Sequence, residues 1–329
     1  MKHYEQMRPK GDYESVLRQR EKDGIKFYTR FNREFVDVDC PACGKQGIKS
    51  FRKYGFQHKT CDDCSTIFCS PRPKDDLLSI YYNEYEAPMM WTQLLIKADV
   101  ERKALQYGPR IKKIIAGMRK QGMASGGVAL DVGAGSGAFT VALKNSGFFS
   151  DVIALDLSDN CVDVLKENGM NAKKGSVSDM DDGSVDFICM NDLIEHLFDP
   201  FTFLRDCFRV LRPNGYLSVA TPNGEGFDFK ILKDKTKNIT PPEHLNYFNP
   251  NSMGIIMSRA GFETVLVETP GMLDVDIILR EKNAGFPLQE KNEYLDYLLG
   301  QEEKVMKRFQ RFLATNRLSS HMLALARRP

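Results

Sequence analysis

One stretch, residues 128–140, constrains the fold of this chain more than any other. Its first five residues alternate in polarity as a buried strand does, with apolar side chains at Val128, Leu130 and Val132. Glycines follow at positions 133, 135 and 137, and an apolar helical run begins at Phe139. A strand, a glycine turn and a helix form a corner where the backbone can approach a nucleotide-like ligand, because no side chain blocks it. Because Gly133, Gly135 and Ala138 also satisfy the dinucleotide pattern G-x-G-x-x-G/A, the corner alone leaves the ligand open.

After this corner the chain alternates between strand-like and helix-like segments, which favours an α/β fold with a mainly parallel sheet. We predict strands at 128–132, 152–155, 172–174, 185–190, 216–220, 264–268 and 321–326. We predict helices at 138–146, 159–168, 200–211, 250–260, 288–300 and 302–316. The predicted fold is a Rossmann-like, seven-stranded sheet with a helical insertion at about 272–316. After that insertion, the last strand returns beside 264–268.

Two C-x-x-C pairs precede this domain, at Cys40 and Cys43 and at Cys61 and Cys64. Each pair can place two sulfurs on one ion, and the spacing between the pairs suits a four-thiolate zinc site with a short hairpin at 46–60. Because four protein ligands leave no open position, we expect the zinc to be structural. The competing interpretation is a pair of redox dithiols, but the strand-helix context of such motifs is missing.

The predicted organisation has four parts. They are an N-terminal arm at 1–39, a zinc ribbon at 40–73, a helical linker at 74–127 and the main domain at 128–329. The arm carries a predicted helix at 12–26, which we expect to pack on the body or on a partner subunit. The linker carries a helix at 75–85 and a helical pattern at 94–121 that is broken at Gly108-Pro109.

Composition limits the classes of function. The chain has 329 residues and a net charge of +2, so its charge gives no case for a nucleic-acid partner. We find no apolar run long enough to span a membrane and no apolar segment after the first three residues, and the eight cysteines suit a reducing compartment. We therefore expect a cytoplasmic protein without a membrane partner, and the sequence leaves a homodimer open.

The motifs together resemble a class I S-adenosylmethionine-dependent methyltransferase. Asp131-x-Gly133-x-Gly135-x-Gly137 resembles that family's first motif, and residues 191–196 resemble its segment after the fourth strand. The cysteine pairs, together with Pro71-Arg72-Pro73 and the tyrosines that follow, resemble a zinc-ribbon subgroup found in bacterial surface-polysaccharide, sugar and secondary-metabolite pathways. This chain departs from the pattern at Ser65, where glycine is usual, which affects the turn more than the metal.

The resemblance implies S-adenosylmethionine as the cofactor and assigns residues to it. Asp131 is expected to hold the amino end of the methionine moiety, directly or through water, and Asn191 to lie under the sulfonium. Asp156 is expected to bind both ribose hydroxyls, with Leu157 beside it; helix capping with Ser158 is the alternative for Asp156. Ser178 and Asp179 are expected near the adenine amino group. The three glycines let the backbone approach the cofactor.

Methyl transfer needs a base when the acceptor loses a proton, as a sugar hydroxyl does. His244 is the first candidate, with Glu243 to orient or polarise it, and His196 is the second. Each histidine also has a structural alternative: His244 shaping its loop, and His196 on the cofactor side. His3, His58 and His321 are predicted to be badly placed for this role.

The leading hypothesis is methyl transfer to a small molecule. The favoured acceptor group is a hydroxyl of a sugar or of a nucleotide-linked metabolite. A second hypothesis keeps the chemistry and replaces the acceptor with ribosomal or transfer RNA, guided by the zinc module. A third is a non-catalytic zinc scaffold in a biosynthetic complex. A nicotinamide dehydrogenase is disfavoured by Asp131 and by the predicted order of the last strands.

Overall fold

A computed structural model describes residues 10–97, 103–285 and 292–329 of the chain. His3, which we predicted to be badly placed for catalysis, and the first residues of the predicted helix at 288–300 therefore lie outside the described residues. The organising feature is a seven-stranded sheet in the order β6-β5-β4-β7-β8-β11-β10.

The elements follow in chain order. The helices are α1 Lys10–Phe31, α2 Asp75–Glu84, α3 Glu86–Lys97, α4 Gly108–Lys120, α5 Ala138–Asn145, α6 Asp159–Glu167, α7 Pro200–Val210, α8 Phe227–Leu232, α9 Pro250–Arg259, α10 Asp274–Asn283, α11 Glu293–Leu299 and α12 Glu303–Thr315. The strands are β1 Gly47–Lys53, β2 Phe56–Cys61, β3 Ile67–Cys69, β4 Val128–Val132, β5 Asp151–Asp156, β6 Asn171–Lys174, β7 Val185–Asn191, β8 Leu211–Pro222, β9 Asn246–Tyr247, β10 Glu263–Glu268 and β11 His321–Arg327. A π-helical turn at Lys103–Tyr107 and 3₁₀ turns at Asn32–Glu34, Val177–Asp179 and Lys233–Lys235 complete them.

The sheet has the predicted α/β architecture. Strands β6, β5, β4, β7 and β8 are parallel, and β11 is antiparallel to both of its neighbours, β8 and β10. The last strand therefore lies beside β10, as predicted. Because β11 runs against β8, its first residue, His321, pairs with Pro222 at the end of β8. The amino-terminal end of β11 thus reaches the edge where the parallel strands end.

Helices cover both faces of the sheet. On one face, α7 and α9 pack on Leu130, Ile188 and Val219. On the other, α4 and α5 pack on Ala129, Phe187 and Leu325. Apolar residues at helical spacing bury one side of each helix, and the face of α4 built on Ile111, Ile114 and Met118 is confirmed. A ligand would bind outside this core, at the edge of the sheet where the parallel strands end.

The boundaries differ from the prediction in three places. The first helix, α1, extends to Phe31 and is longer than the predicted 12–26. Strand β8 begins at Leu211, five residues before the predicted start, because the chain pairs with β7 as soon as α7 ends. The insertion contains a further helix, α10, before the two predicted ones, which the structure places at 293–299 and 303–315.

The N-terminal cysteine segment shares a sheet with the main domain and is not a separate unit. Strands β1, β2 and β3 form an antiparallel sheet that is completed by β9 from the long loop after β8. We call residues 40–73 the cysteine module. Asn249 donates to the Cys64 carbonyl at 2.8 Å, and Arg259 donates to the Ala42 carbonyl at 2.6 Å. The module and residues 240–249, which we call the acceptor loop, therefore support one another.

The N-terminal arm packs on the body of the same chain. Helix α1 buries Phe27 against Tyr81 and Tyr85 of the linker. These aromatic residues, with Leu245, thus seal a junction between the arm, the linker and the acceptor loop. Among the described residues, no helix is both long and apolar enough to cross a membrane.

Ser65 occupies a backbone position that favours glycine. Its φ is 57°, and the matching residue of the first cysteine turn, Gly44, has a φ of 77°. A left-handed conformation costs a residue with a Cβ about 1–2 kcal/mol. Glycine removes this cost, but its greater entropy in the unfolded chain offsets part of the gain. We therefore expect Ser65→Gly to raise the free energy of unfolding by about 0.5–1 kcal/mol. Thermal unfolding measures this, and Ser65→Ala, which keeps the Cβ, should show no gain.

Candidate active site

The glycine turn between β4 and α5 is bare backbone, as predicted. Gly133, Gly135 and Gly137 have φ values of 69°, 54° and 81°. A Cβ at Gly137 would lie 2.4 Å from the Leu165 side chain, whereas a Cβ at Gly135 would point into open space. Gly137 is therefore needed for packing, and Gly135 leaves room for a ligand.

Asp156 at the end of β5 faces this turn. Its carboxylate accepts from the Gly135 N–H at 2.8 Å and from the Ser158 N–H at 2.9 Å. Ser158 itself caps α6 by accepting from the Cys161 N–H. Asp156 thus ties the glycine turn to the next strand tip. Each of its oxygens keeps a second lone pair with which it can accept a ligand hydroxyl.

Asp131 lies beneath the turn and not on its surface. Its side chain is buried, and it accepts from the Thr140 hydroxyl at 2.6 Å and from the Cys189 thiol at 3.5 Å. Burial raises the pKa of this carboxyl to about 6. These contacts tie β4 to α5 and β7, and the role of Asp131 toward the amino end of the methionine moiety stays a prediction.

The pKa of Asp131 predicts a pH-dependent stability. Its folded-state pKa of about 6 lies above the ordinary 3.8, so between these values the folded state binds more protons than the unfolded state. Its contribution to stability is therefore lost as pH rises through 6. Two pKa units correspond to about 3 kcal/mol.

Urea unfolding measures the free energy of unfolding of Asp131→Asn and of the wild type at pH 4 and at pH 7. We expect the value for the variant, relative to the wild type, to be higher at pH 7 than at pH 4 by up to about 3 kcal/mol. The other carboxylates titrate equally in both proteins and cancel in the difference. A difference between the two proteins that does not change with pH would contradict this assignment.

Leu157, predicted beside Asp156, and Ser178 and Asp179, predicted near the adenine, lie in the next two loops. Leu157 is 73% exposed directly after Asp156, which leaves an apolar surface available to a flat ring. Asp179 closes the turn at 176–179 by accepting from the Ser176 N–H at 2.7 Å. Ser178 is exposed, and its carbonyl accepts from Arg209. The structure thus gives Asp179 a local capping role, and its contact with the adenine stays a prediction.

Asn191 ends β7 at the centre of the sheet edge. Its Oδ1 accepts from Arg110 of α4 at 2.6 Å. Its Nδ2 is buried and has no hydrogen-bond partner among the described residues. Because a buried donor without a partner is costly, this amide has an unmet requirement at the position predicted for the sulfonium end of the cofactor.

A cavity of about 170 Å³ is lined in part by Arg110, the residue that donates to Asn191. Its walls come from α4, the end of β8, the start of α10 and the start of β11. The polar residues on these walls include Arg110, Lys113, Asn238, Asp274 and His321. The insertion that includes α10 therefore forms part of the cavity wall.

The candidate bases lie next to one another. His196 and His244 meet edge to face with ring centroids 4.7 Å apart. The His244 Nδ1 lies 2.8 Å from the Asn238 carbonyl, and the His196 Nδ1 lies 2.9 Å from the Tyr82 hydroxyl. Burial lowers the pKa of both imidazoles, and that of His244 falls further beside His196. Both rings are therefore neutral at neutral pH.

Glu243 does not have the role predicted for it. Its carboxylate accepts from Arg20 of α1 at 2.6 and 3.0 Å and from the Tyr81 hydroxyl at 3.2 Å. The side chain is buried, and this ion pair fixes its direction. Glu243 therefore anchors the acceptor loop to the arm, and the Asn238 carbonyl orients His244 instead.

Three site residues were missed or excluded by the sequence reasoning. His321 lies on the cavity wall with its Nε2 2.8 Å from Asp192, because β11 inserts antiparallel at the open edge of the sheet. Arg110 reaches Asn191 from the predicted linker. Glu195, which was noted only within a motif, is fully buried beside the two histidines. Its carboxylate accepts from Thr221, and burial together with Asp192 raises the pKa of Glu195 well above its ordinary value.

The four predicted cysteine ligands converge. The Sγ atoms of Cys40, Cys43, Cys61 and Cys64 lie within 4.8 Å of one another. Neighbouring sulfurs are 3.4–3.6 Å apart. Tetrahedral zinc with Zn–S bonds of about 2.3 Å requires sulfur separations of nearly this size. The residues present therefore fit a closed four-thiolate site.

Residues 105–267 match the family model described as a methyltransferase domain. A probable S-adenosylmethionine-dependent methyltransferase of Mycolicibacterium smegmatis is 33% identical over 116 residues, which make up 34% of this chain and 43% of that protein. A ubiquinone biosynthesis O-methyltransferase of Xanthomonas oryzae pv. oryzae is 32% identical over 108 residues, or 30% of this chain and 44% of that protein. The chain thus spans less than half the length of these relatives.

Among solved structures, the chain is similar to an S-adenosylmethionine-dependent methyltransferase from Archaeoglobus fulgidus. The TM-score is 0.44 at 18% identity, with 67% of this chain and 92% of that chain covered. The family match itself spans the glycine turn, Asp156 and Asn191. This part of the chain is therefore similar to a methyltransferase domain.

Proposed function

We propose that this chain, through the methyltransferase domain at 105–267, transfers a methyl group from S-adenosylmethionine to a small molecule. The observation that carries the proposal is the corner built by the glycine turn and Asp156, where Gly135 opens onto free space and the carboxylate keeps acceptor capacity. The ribose would bind at Asp156, the adenine beside Leu157, Ser178 and Asp179, and the sulfonium end near Asn191. S-adenosylmethionine supplies the activated methyl group.

The acceptor is proposed to enter the cavity lined by Arg110, the hydrogen-bond donor to Asn191. Its walls shield a small molecule on several sides, which suits alignment of one atom with the methyl group. On these walls Lys113 is paired with Glu268 and Asp274 adds a carboxylate, so the lining is mixed in charge and suits a polar, hydroxyl-bearing acceptor such as a sugar. We therefore retain a sugar or nucleotide-linked hydroxyl as the proposed acceptor. The net charge of +2 gives no support to an RNA acceptor.

We also propose that the cysteine module binds one structural zinc ion. The support is the convergence of four sulfurs at distances suited to a tetrahedral ion. Cys40, Cys43, Cys61 and Cys64 would hold it as thiolates. Because these four fill its coordination, the ion would support the acceptor loop and take no part in methyl transfer.

Calorimetric titration with S-adenosylmethionine tests the cofactor site. We expect saturable binding by the wild type and a loss of at least about tenfold in affinity for Asp156→Ala, because two hydroxyl contacts to a carboxylate are removed. Asp159→Ala is the matched control, since Asp159 is an exposed carboxylate three residues away on α6. Absence of binding by the wild type, or equal affinities in all three proteins, would contradict the proposal.

A further inference from the structure

A second cluster of possible metal ligands lies at the carboxyl ends of β7 and β8, far along the chain from the cysteines. It consists of Glu195, His196 and His244, and we call it the histidine–glutamate cluster. One ligand atom from each of the three lies within 4.8 Å of the others. Glu195 and His196 follow β7, and His244 comes from the acceptor loop.

Glu195 carries the clearest sign that something is missing from this cluster. Its side chain is 0% exposed, and its Oε2 accepts from the Thr221 hydroxyl at 2.9 Å. Its Oε1 is buried and has no hydrogen-bond partner among the described residues. In either protonation state a buried carboxyl oxygen without a partner is costly, so this oxygen favours a cation or a hydrogen-bonding ligand.

The tautomer of His244 leaves one nitrogen ready for a metal ion. Its Nδ1 lies 2.8 Å from the Asn238 carbonyl, which can only accept, so Nδ1 carries the proton. The Nε2 therefore carries the lone pair. A histidine that ligates a metal typically donates its other N–H to a carbonyl in this way.

His196 is the third member of the histidine–glutamate cluster. It lies edge to face against His244, and its Nδ1 is 2.9 Å from the Tyr82 hydroxyl. Ring orientation on both sides is thus held by residues outside the cluster. Two neutral imidazoles and one carboxylate make a mixed nitrogen and oxygen donor set.

We infer that the histidine–glutamate cluster is a binding site for one divalent first-row transition-metal ion. Three protein ligands leave positions open for water or for a substrate oxygen. The carboxylate oxygen without a partner is explained by this ion, and the charge of Glu195 is offset by it.

The ion's position suggests its use. Asn238, whose carbonyl orients His244, also lies on the cavity wall, as does Pro222, next to the Glu195 partner Thr221. The ion would thus hold the acceptor hydroxyl at the edge of the cavity and lower its pKa, so that its proton passes to water as the oxygen takes the methyl group. This use rests on the proposed methyl transfer, whereas metal binding itself does not. His244 would then serve as a ligand and not as the general base.

Metal titration of the zinc-loaded protein, without S-adenosylmethionine, tests the inference. Mn²⁺ is followed by electron paramagnetic resonance, and Co²⁺ is followed by visible absorption. We expect one ion per chain beyond the zinc and a loss of at least about tenfold in affinity in Glu195→Gln and in His244→Gln. Glu225→Gln, the same chemical change at a surface glutamate paired with Lys230, should bind as the wild type does.

Zinc content and the thermal midpoint report whether each variant is folded. If Glu195→Gln fails to fold, the half-buried His244→Gln decides the question. The inference is overturned if the wild type takes up neither ion, or if uptake is equal in His244→Gln and Glu225→Gln. Since calorimetry with S-adenosylmethionine is a separate measurement, failure here leaves the proposed function intact.

Discussion

Cys64→Ser is expected to lose the proposed zinc ion and most of the stability of the acceptor loop. The Cys64 sulfur lies 3.5 Å from that of Cys40, and its carbonyl accepts from Asn249 at the start of α9. Structural zinc contributes on the order of 10 kcal/mol of binding free energy in small modules, which is comparable with the net stability of a domain. Zinc content and urea unfolding measure the loss, and a chelator should reproduce it in the wild type.

The consequence should reach beyond the module because β9 lies in its sheet. Ile67 pairs with Tyr247 and Phe68 pairs with Asn246, which lie three and two residues after His244. Cys161→Ser is the matched control, since Cys161 lies on α6 away from the cluster. If Cys64→Ser retained full stability and zinc while Cys161→Ser behaved identically, the structural role of the module would be wrong.

Arg20→Met is expected to cost about 3–5 kcal/mol, because it leaves the Glu243 carboxylate buried without its cation. The pair is 2.6 Å long, and its side chains are 6% and 3% exposed. Replacing both residues, in Arg20→Met with Glu243→Met, should be far less costly than the single change, since no buried charge remains.

An exposed ion pair provides the comparison. Arg30 and Glu84 are 3.4 Å apart with both side chains 55% exposed, so Arg30→Met should cost less than about 1 kcal/mol. Urea unfolding of the four proteins measures these values. Equal costs for Arg20→Met and Arg30→Met would show that the arm does not anchor the acceptor loop through this pair.

The sequence predicted the features that depend on neighbouring residues. The strand and glycine turn at 128–137, the carboxylate at the end of β5 and the two cysteine turns each lie within one short segment. Periodicity, backbone conformation and ligand spacing within each segment were sufficient to predict these features. The alternation of strands and helices then indicated the sheet and the position of the last strand.

The sequence could not predict contacts made across long separations. Glu243 was assigned to His244 because they are adjacent, but its partner Arg20 lies 223 residues away on the arm. His321 was excluded because its place on the cavity wall depends on how β11 inserts between β8 and β10. The pairing of β3 with β9 likewise joins two regions that have no shared pattern in the sequence.

These long-range contacts suggest how the parts of the chain cooperate. The sheet edge presents Asp156 and Asn191, while the cysteine module and the arm hold the acceptor loop from two sides. In the proposed enzyme the cofactor side is therefore built by local structure, and the acceptor side is assembled by distant segments.

The structure of a co-crystal with S-adenosylhomocysteine tests the central claim most directly. Our account predicts the ribose hydroxyls within hydrogen-bond distance of the Asp156 carboxylate, with the adenosyl group against the bare backbone of Gly135. The sulfur should lie near Asn191, at the mouth of the cavity. Density for the ligand elsewhere, or Asp156 turned away from the ribose, would contradict it.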